Sequence, residues 1–201
     1  MGMKLTFTNI FQFLSGISPF LLGFFLVMSS IFNQNVKGIV YLAGVVLASI
    51  VNLLLMNLIG QKSFPNQSLS CNLIELPFGS NMYNSPALTS VFIGFTIAYL
   101  FLPMNYHNEM NYLLLISLVG LFVMDGVTKV INYCTNATGV VLGGLIGGLL
   151  GSIWYTIFHA TGNDSLLFFD EMISNKVMCK KPSKQKFKCS VYKNGELVKN
   201  L

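Results

Sequence analysis

Arginine is absent from this chain of 201 residues, and charged residues make up only 9% of it. An ordinary soluble domain carries roughly 25% charged residues. So few charges do not cover a water-facing surface, whereas 53% of the residues are hydrophobic and the mean hydropathy is +0.65. The composition excludes a disordered chain, a nucleic-acid-coating protein and a typical soluble enzyme. It predicts instead that the apolar excess faces lipid.

Histidine and cysteine are scarce as well. The two histidines are His107 and His159, and none of the four cysteines forms a Cys-x-x-Cys pair. A zinc centre is therefore not expected. Both histidines lie on the side of the predicted bundle opposite Asp125, so no Ser-His-Asp set forms around that acid. No glycine loop has the strand–loop–helix context of a phosphate-binding motif. We predict no catalytic residue, no metal and no cofactor.

Five stretches have the length and apolarity of transmembrane helices, which need about 20 residues. The fold class that they predict is an all-α polytopic membrane bundle over residues 1–162, followed by a basic tail with a small β-ribbon over 163–201. Asp125 and Lys129 are four residues apart near the end of the fourth stretch, where they can pair close to the headgroups. The stretches cover residues 10–32, 38–59, 87–104, 112–131 and 140–159.

The connections between the spans differ in length. Residues 60–86 and 132–139 form two loops that alternation of the spans places on one side, whereas the other two connections are short. The fifth span carries Gly143, Gly147 and Gly151, a strip of small residues where another helix backbone can approach closely. We favour packing inside the bundle over a homodimer face for this strip.

The cysteines form two topological pairs. Cys71 and Cys134 lie in the two loops of one side, and Cys179 and Cys189 lie in the tail. Each pair could form a disulfide if its side of the membrane is oxidising, and four unrelated thiols are the alternative.

Eight of the twelve lysines follow position 175, so residues 1–175 carry a net charge of −2 and the last 26 residues one of +7. The positive-inside rule places this tail in the cytoplasm. The remaining lysines favour the opposite orientation, because three of them (Lys4, Lys62 and Lys129) lie on one side of the membrane and only Lys37 lies on the other. The glycosylation acceptor patterns at Asn66 and Asn136 support outside loops, whereas a myristoylation pattern at Gly2 needs a cytosolic N-terminus. We expect the C-terminus to be cytoplasmic.

The tail has a pattern of its own. Alternating residues flank Asn194-Gly195, which is a strong signal for a β-hairpin, and residues 176–180 could add a third strand. Anionic lipid is one expected partner, and a capsid or scaffold protein is the other. Nucleic acid is not expected, because two aromatic residues make no stacking platform. The lysines that we expect to make the contact are Lys180, Lys181, Lys184, Lys186 and Lys188.

Three short segments follow one another along the chain in an informative order. The loop with Lys62 follows the second span, Asn84-Ser85-Pro86 opens the third, and Thr128-Lys129 ends the fourth. This order resembles the type 2 phosphatidic acid phosphatase family, whose three motifs are Lys-x6-Arg-Pro, Pro-Ser-Gly-His and Ser-Arg-x5-His-x3-Asp. The resemblance implies that Lys62, Ser85, Thr128 and Lys129 form a site for a phosphate or a lipid headgroup.

The sequence departs from that family at the chemical positions. Thr135 stands where the nucleophilic histidine would be, and Gly139 stands where its aspartate would be, although Gly143 and Gly147 keep the glycine spacing. A threonine without a base is no substitute for the histidine. The resemblance therefore implies a pseudoenzyme on a phosphatase-like scaffold.

All basic residues of the chain are lysines, and its basic tail contains cysteines. In these general features the chain also resembles membrane proteins of large nucleocytoplasmic DNA viruses, whose inner membrane lies under a capsid. The function that we expect is a non-enzymatic, structural or anchoring membrane protein, in a host or viral inner membrane. The alternative is a protein that binds or processes lipid phosphates. A transporter is less favoured, because four of the five spans have no ionisable residue at their centres.

Overall fold

The computed structural model describes residues 7–68, 71, 83–168, 190–193 and 196–200. Within these residues the chain forms five long α-helices, all of them long and apolar enough to cross a membrane. The prediction of a multi-pass helical membrane protein is confirmed at this level. The helices are α1 (Phe7–Phe32), α2 (Lys37–Ile59), α3 (Leu88–Tyr106), α4 (Tyr112–Ile131) and α5 (Ala137–Ala160).

Helix α1 turns small polar residues towards the bundle and large apolar ones away from it. On α1, the buried positions include Ser15, Ser18 and Ser30, whereas Phe24 and Phe25 are largely exposed. This distribution suits a helix in lipid, because the hydrocarbon solvates large apolar side chains while small residues let neighbouring helices approach closely.

Helix α3 lies at the centre of the bundle. It contacts each of the other four helices, which follow one another around it in the order α1, α2, α5 and α4. More than half of its residues are buried, including Val91, Phe95 and Tyr99. A helix that is covered on all sides needs no polar stripe, and α3 accordingly shows almost no amphipathicity.

The strip of glycines on α5 lies directly against α3. A Cβ atom on Gly143 would lie 2.7 Å from the carbonyl oxygen of Ala87, and one on Gly151 would lie 2.5 Å from that of Phe95. Only glycine permits this separation of the two backbones. The strip is thus used for packing within the chain, between the fifth span and the central helix.

The two longer loops meet at one end of the bundle. The backbone N–H of Ser68 donates to the carbonyl oxygen of Asn132 over 3.2 Å, and Cys71 forms a disulfide with Cys134. The amide of Gln12 donates to the side chain of Asn132, which places the start of α1 at the same end. We call this end the loop face, and we call the opposite end, from which the chain leaves α5, the tail face.

The chain folds back onto the bundle after α5. A single 3-10 turn, Asp164–Leu166, is followed by Leu167 and Phe168, which are 2% and 0% exposed. The Phe168 ring packs edge-on against Tyr41 of α2, with the ring centroids 6.5 Å apart. The packed part of the chain therefore continues beyond residue 162.

Two strands are described in the tail, β1 (Ser190–Lys193) and β2 (Glu196–Asn200), and they pair antiparallel. The predicted third strand, the myristoylation pattern, the Cys179 and Cys189 pair and the five tail lysines named above lie outside the described residues.

Candidate functional site

A buried carboxylate joins three helices below the loop face. Asp125 of α4 is fully buried and lies six residues before the end of the helix, about 9 Å along its axis. The hydroxyl of Ser15 on α1 donates to Oδ1 over 3.0 Å, and that of Thr89 on α3 donates to Oδ2 over 2.6 Å. Lys129, one turn further on, places its ammonium 3.7 Å from Oδ2 and also donates to the Thr89 hydroxyl.

This network neutralises its own charge. The Lys129 side chain is 19% exposed, whereas the side chain of Asp125 is 1% exposed. Ionisable residues inside a membrane are costly, and they commonly pair with one another or serve a functional site. The pairing of Asp125 with Lys129 that the sequence predicts is present, and three helices supply the groups that hold it.

A second cluster of polar residues lies where the chain enters α3. The turn Asn84-Ser85-Pro86, whose Ser85–Pro86 bond is cis, lies against the loop before α5. The hydroxyl of Thr135 donates to the carbonyl oxygen of Asn84 over 2.6 Å, and the N–H of Ala87 donates to that of Gly139 over 3.0 Å. These bonds fix the entry of the chain into α3 against the start of α5.

The packing around Gly139 leaves no room for a side chain. A Cβ atom there would lie 2.5 Å from the hydroxyl oxygen of Thr135 and 3.1 Å from that of Ser85. Thr135 and Gly139, which stand at the histidine and aspartate positions of the resembled family, therefore lie beside each other and Gly139 lies next to Ser85. An aspartate at position 139, as the family pattern has it, would require this arrangement to open.

Several polar atoms in this region are buried without a hydrogen-bond partner. They are Oδ1 of Asn52, both side-chain polar atoms of Asn84, and the hydroxyl oxygens of Ser85 and Ser90. The Asn52 amide donates to the carbonyl oxygen of Pro86 over 3.3 Å, which ties α2 to the same turn. Buried polar groups are nearly always hydrogen-bonded in native proteins, so such a concentration marks a candidate binding site.

The four residues assigned to headgroup binding occupy different surroundings. Lys62 is exposed on the loop, where it forms an isolated β-bridge with Tyr83. The hydroxyl of Thr128 donates to the carbonyl oxygen of Met124 in its own helix. Lys129 donates to Thr89 in the first turn of α3, and Ser85 lies three residues before that helix begins.

The sequence interpretation did not single out Ser15, Thr89, Asn52 or Asn84. A signal for the first three was present, because each is a polar residue within an apolar span, where such a side chain needs a partner. Asn84 gave no comparable signal, since asparagine is common in turns.

The histidines lie at the tail face, away from these groups. Nδ1 of His159 is 2.8 Å from the Asp164 carboxylate, and its ring packs against Tyr106 and Tyr155. Nδ1 of His107 lies 2.9 Å from the carbonyl oxygen of Pro103. Across the part of the chain that the structure describes, no three residues among histidine, cysteine, aspartate and glutamate form a metal-binding group.

No family model, curated protein or solved structure matches this chain. The resemblance to the phosphatase family and the viral style of the sequence therefore stay hypotheses, and the functional argument depends on the two polar groups at the loop face and on the basic tail.

Proposed function

We propose that the protein is a non-enzymatic, structural integral membrane protein that anchors a basic tail at the cytoplasmic membrane face. The observation that carries the proposal is the burial of Leu167 and Phe168 against the bundle, because it fixes the start of the tail at one membrane surface. Lys176 follows eight residues later, within about 29 Å of extended chain. The lysines are thus tethered close to the headgroups.

The other end of the bundle supports this orientation. A disulfide between Cys71 and Cys134 persists in an oxidising compartment, which favours an exoplasmic loop face. The tail face is then cytoplasmic, where anionic lipids attract basic segments. The tail contacts these lipids or a protein layer under the membrane, which in a viral inner membrane would be a capsid or scaffold protein.

Neutralising two tail lysines is expected to weaken binding to anionic vesicles. The change is Lys180→Gln with Lys181→Gln in the full chain, held in a nanodisc of neutral lipid. Because each lysine near an anionic surface contributes about 1 kcal/mol, we expect roughly a 30-fold loss of affinity. Cosedimentation with vesicles that contain phosphatidylserine measures it.

The matched control for this experiment is Lys180→Arg with Lys181→Arg, which keeps both positive charges and is expected to leave binding unchanged. Equal binding by the native chain and the glutamine variant contradicts the lipid contact, and crosslinking of the tail to a protein layer then becomes the remaining form of the proposal. Release of phosphate from phosphatidic acid, abolished by Lys129→Ala, contradicts the non-enzymatic function itself.

A second candidate function is the binding of a lipid phosphate at the loop face. The proximity of Ser85, Thr135 and Gly139 favours it, as do the unpartnered polar atoms of Asn84 and Ser85. Lys129 adds a cation near the headgroups, but its charge is already shared with Asp125. The neutral donors would therefore contribute most of the recognition.

Ser85→Ala tests the second candidate without disturbing the fold. The Ser85 hydroxyl has no partner within the protein, so its removal breaks no internal hydrogen bond. A hydrogen bond to a charged group contributes about 1.5–3 kcal/mol, so affinity for phosphatidic acid should fall about tenfold or more. Thermal stability should be unchanged, and unchanged affinity would remove this candidate.

A further inference from the structure

In the first part of the long loop, contacts with the loop before α5 hold the chain on both sides of an exposed turn. The Phe64 ring packs edge-on against that of Tyr133, with centroids 6.4 Å apart, and Ser68 is bound to the backbone of Asn132. Between these contacts the chain turns at Pro65 and Asn66, and the N–H of Gln67 donates to the carbonyl oxygen of Phe64 over 3.3 Å. Asn66 is exposed at the tip of this turn.

This tip is an acceptor sequence for N-linked glycans. Asn66-Gln67-Ser68 has the Asn-x-Ser/Thr pattern, whose asparagine must be accessible on the surface of a protein in the secretory route. The disulfide of Cys71 lies three residues beyond the pattern and needs the same kind of oxidising compartment. Two independent features of one loop thus point to one side of the membrane.

The second acceptor pattern, Asn136-Ala137-Thr138, has a different structure. Asn136 immediately precedes α5 and is partly buried, and its carbonyl oxygen accepts from the N–H of Val140 over 3.1 Å. Thr138 already belongs to the first turn of the helix. Asn66, by contrast, lies seven residues beyond the end of α2, outside any helix. An enzyme that must reach the asparagine and the serine or threonine two residues later can reach the turn but not the helix start.

We propose that Asn66 carries an N-linked glycan and that Asn136 does not. The co-reactant is an oligosaccharide linked to a lipid diphosphate, used by the oligosaccharyl transferase of the secretory membrane. Nδ2 of Asn66 loses a proton and forms a bond to the anomeric carbon of the sugar. The bond from that carbon to the phosphate oxygen breaks, and the lipid diphosphate leaves with the electron pair. No oxidation or reduction takes place.

The test uses the full chain expressed with secretory membranes and three variants. Asn66→Gln removes the proposed acceptor, and Asn136→Gln is the matched control in the other loop. Glu196→Thr converts Asn194-Gly195-Glu196 into an acceptor pattern in the tail. Electrophoretic mobility is compared before and after digestion with an N-glycosidase that removes the glycan.

We expect the native chain and Asn136→Gln to shift by one glycan on digestion and Asn66→Gln not to shift at all. Glu196→Thr should shift by one glycan only, because the tail lies on the cytoplasmic side. A native chain without a shift overturns the proposal, as does a shift that Asn136→Gln alone removes. Two glycans on Glu196→Thr, or one that persists in its combination with Asn66→Gln, would place the tail in the secretory lumen and overturn the proposed function as well.

Discussion

Replacing Gly147 by alanine is expected to force α5 away from α3 and to lower the free energy of unfolding by about 3 kcal/mol or more. The added Cβ atom would lie 2.1 Å from the carbonyl oxygen of Val91 and 2.8 Å from the backbone nitrogen of Phe95. Both atoms belong to the backbone of the central helix, so no side-chain rotation relieves the overlap. Because α3 contacts all four other helices, its displacement affects the whole bundle.

The neighbouring residue provides the control for this change. A Cβ atom on Gly148 meets nothing within 4 Å, and alanine is favoured over glycine in a helix by about 0.5–1 kcal/mol. Gly148→Ala should therefore be neutral or slightly stabilising. Thermal unfolding in detergent, followed by circular dichroism and by size-exclusion elution, compares the two variants. Equal midpoints would show that the tight contact between α3 and α5 is absent.

The sequence predicts the spans well because membrane thickness limits their length. The fourth span coincides with α4, Tyr112–Ile131, and the second differs from α2 by one residue. The largest differences are at the starts of α1 and α5, each of which begins three residues before the predicted position, at Phe7 and Ala137. Thr138 and Gly139 lowered the apparent apolarity at the start of α5, although both belong to the helix.

The arrangement of the helices was less accessible from the sequence. Nothing local distinguishes α3 as the central helix, because its uniform apolarity is equally compatible with a helix surrounded by lipid. The partners of Asp125 were not predicted either, since Ser15 and Thr89 lie 110 and 36 residues away along the chain. Such contacts depend on which helices are neighbours, and hydropathy patterns contain no information on that order.

Asp125→Ala is expected to destabilise the bundle by about 3–5 kcal/mol, the usual cost of removing one partner of a buried ion pair. The change takes the acceptor away from the hydroxyls of Ser15 and Thr89 and from the ammonium of Lys129 at once. These donors lie on α1, α3 and α4, so the change also breaks hydrogen bonds between helices. Thermal unfolding of the purified variant in detergent measures the change.

The combination of Asp125→Ala with Lys129→Met distinguishes a structural pair from a binding site. If the two residues mainly stabilise each other, the double variant should be more stable than the sum of the single changes predicts, with a coupling energy of about 0.5–3 kcal/mol. Additive losses would instead indicate that Lys129 acts independently of the carboxylate, as a headgroup cation would. A strong coupling thus assigns Lys129 to the architecture of the bundle. Any phosphate recognition at the loop face would then depend on Asn84 and Ser85, whose buried polar atoms have no partner within the protein.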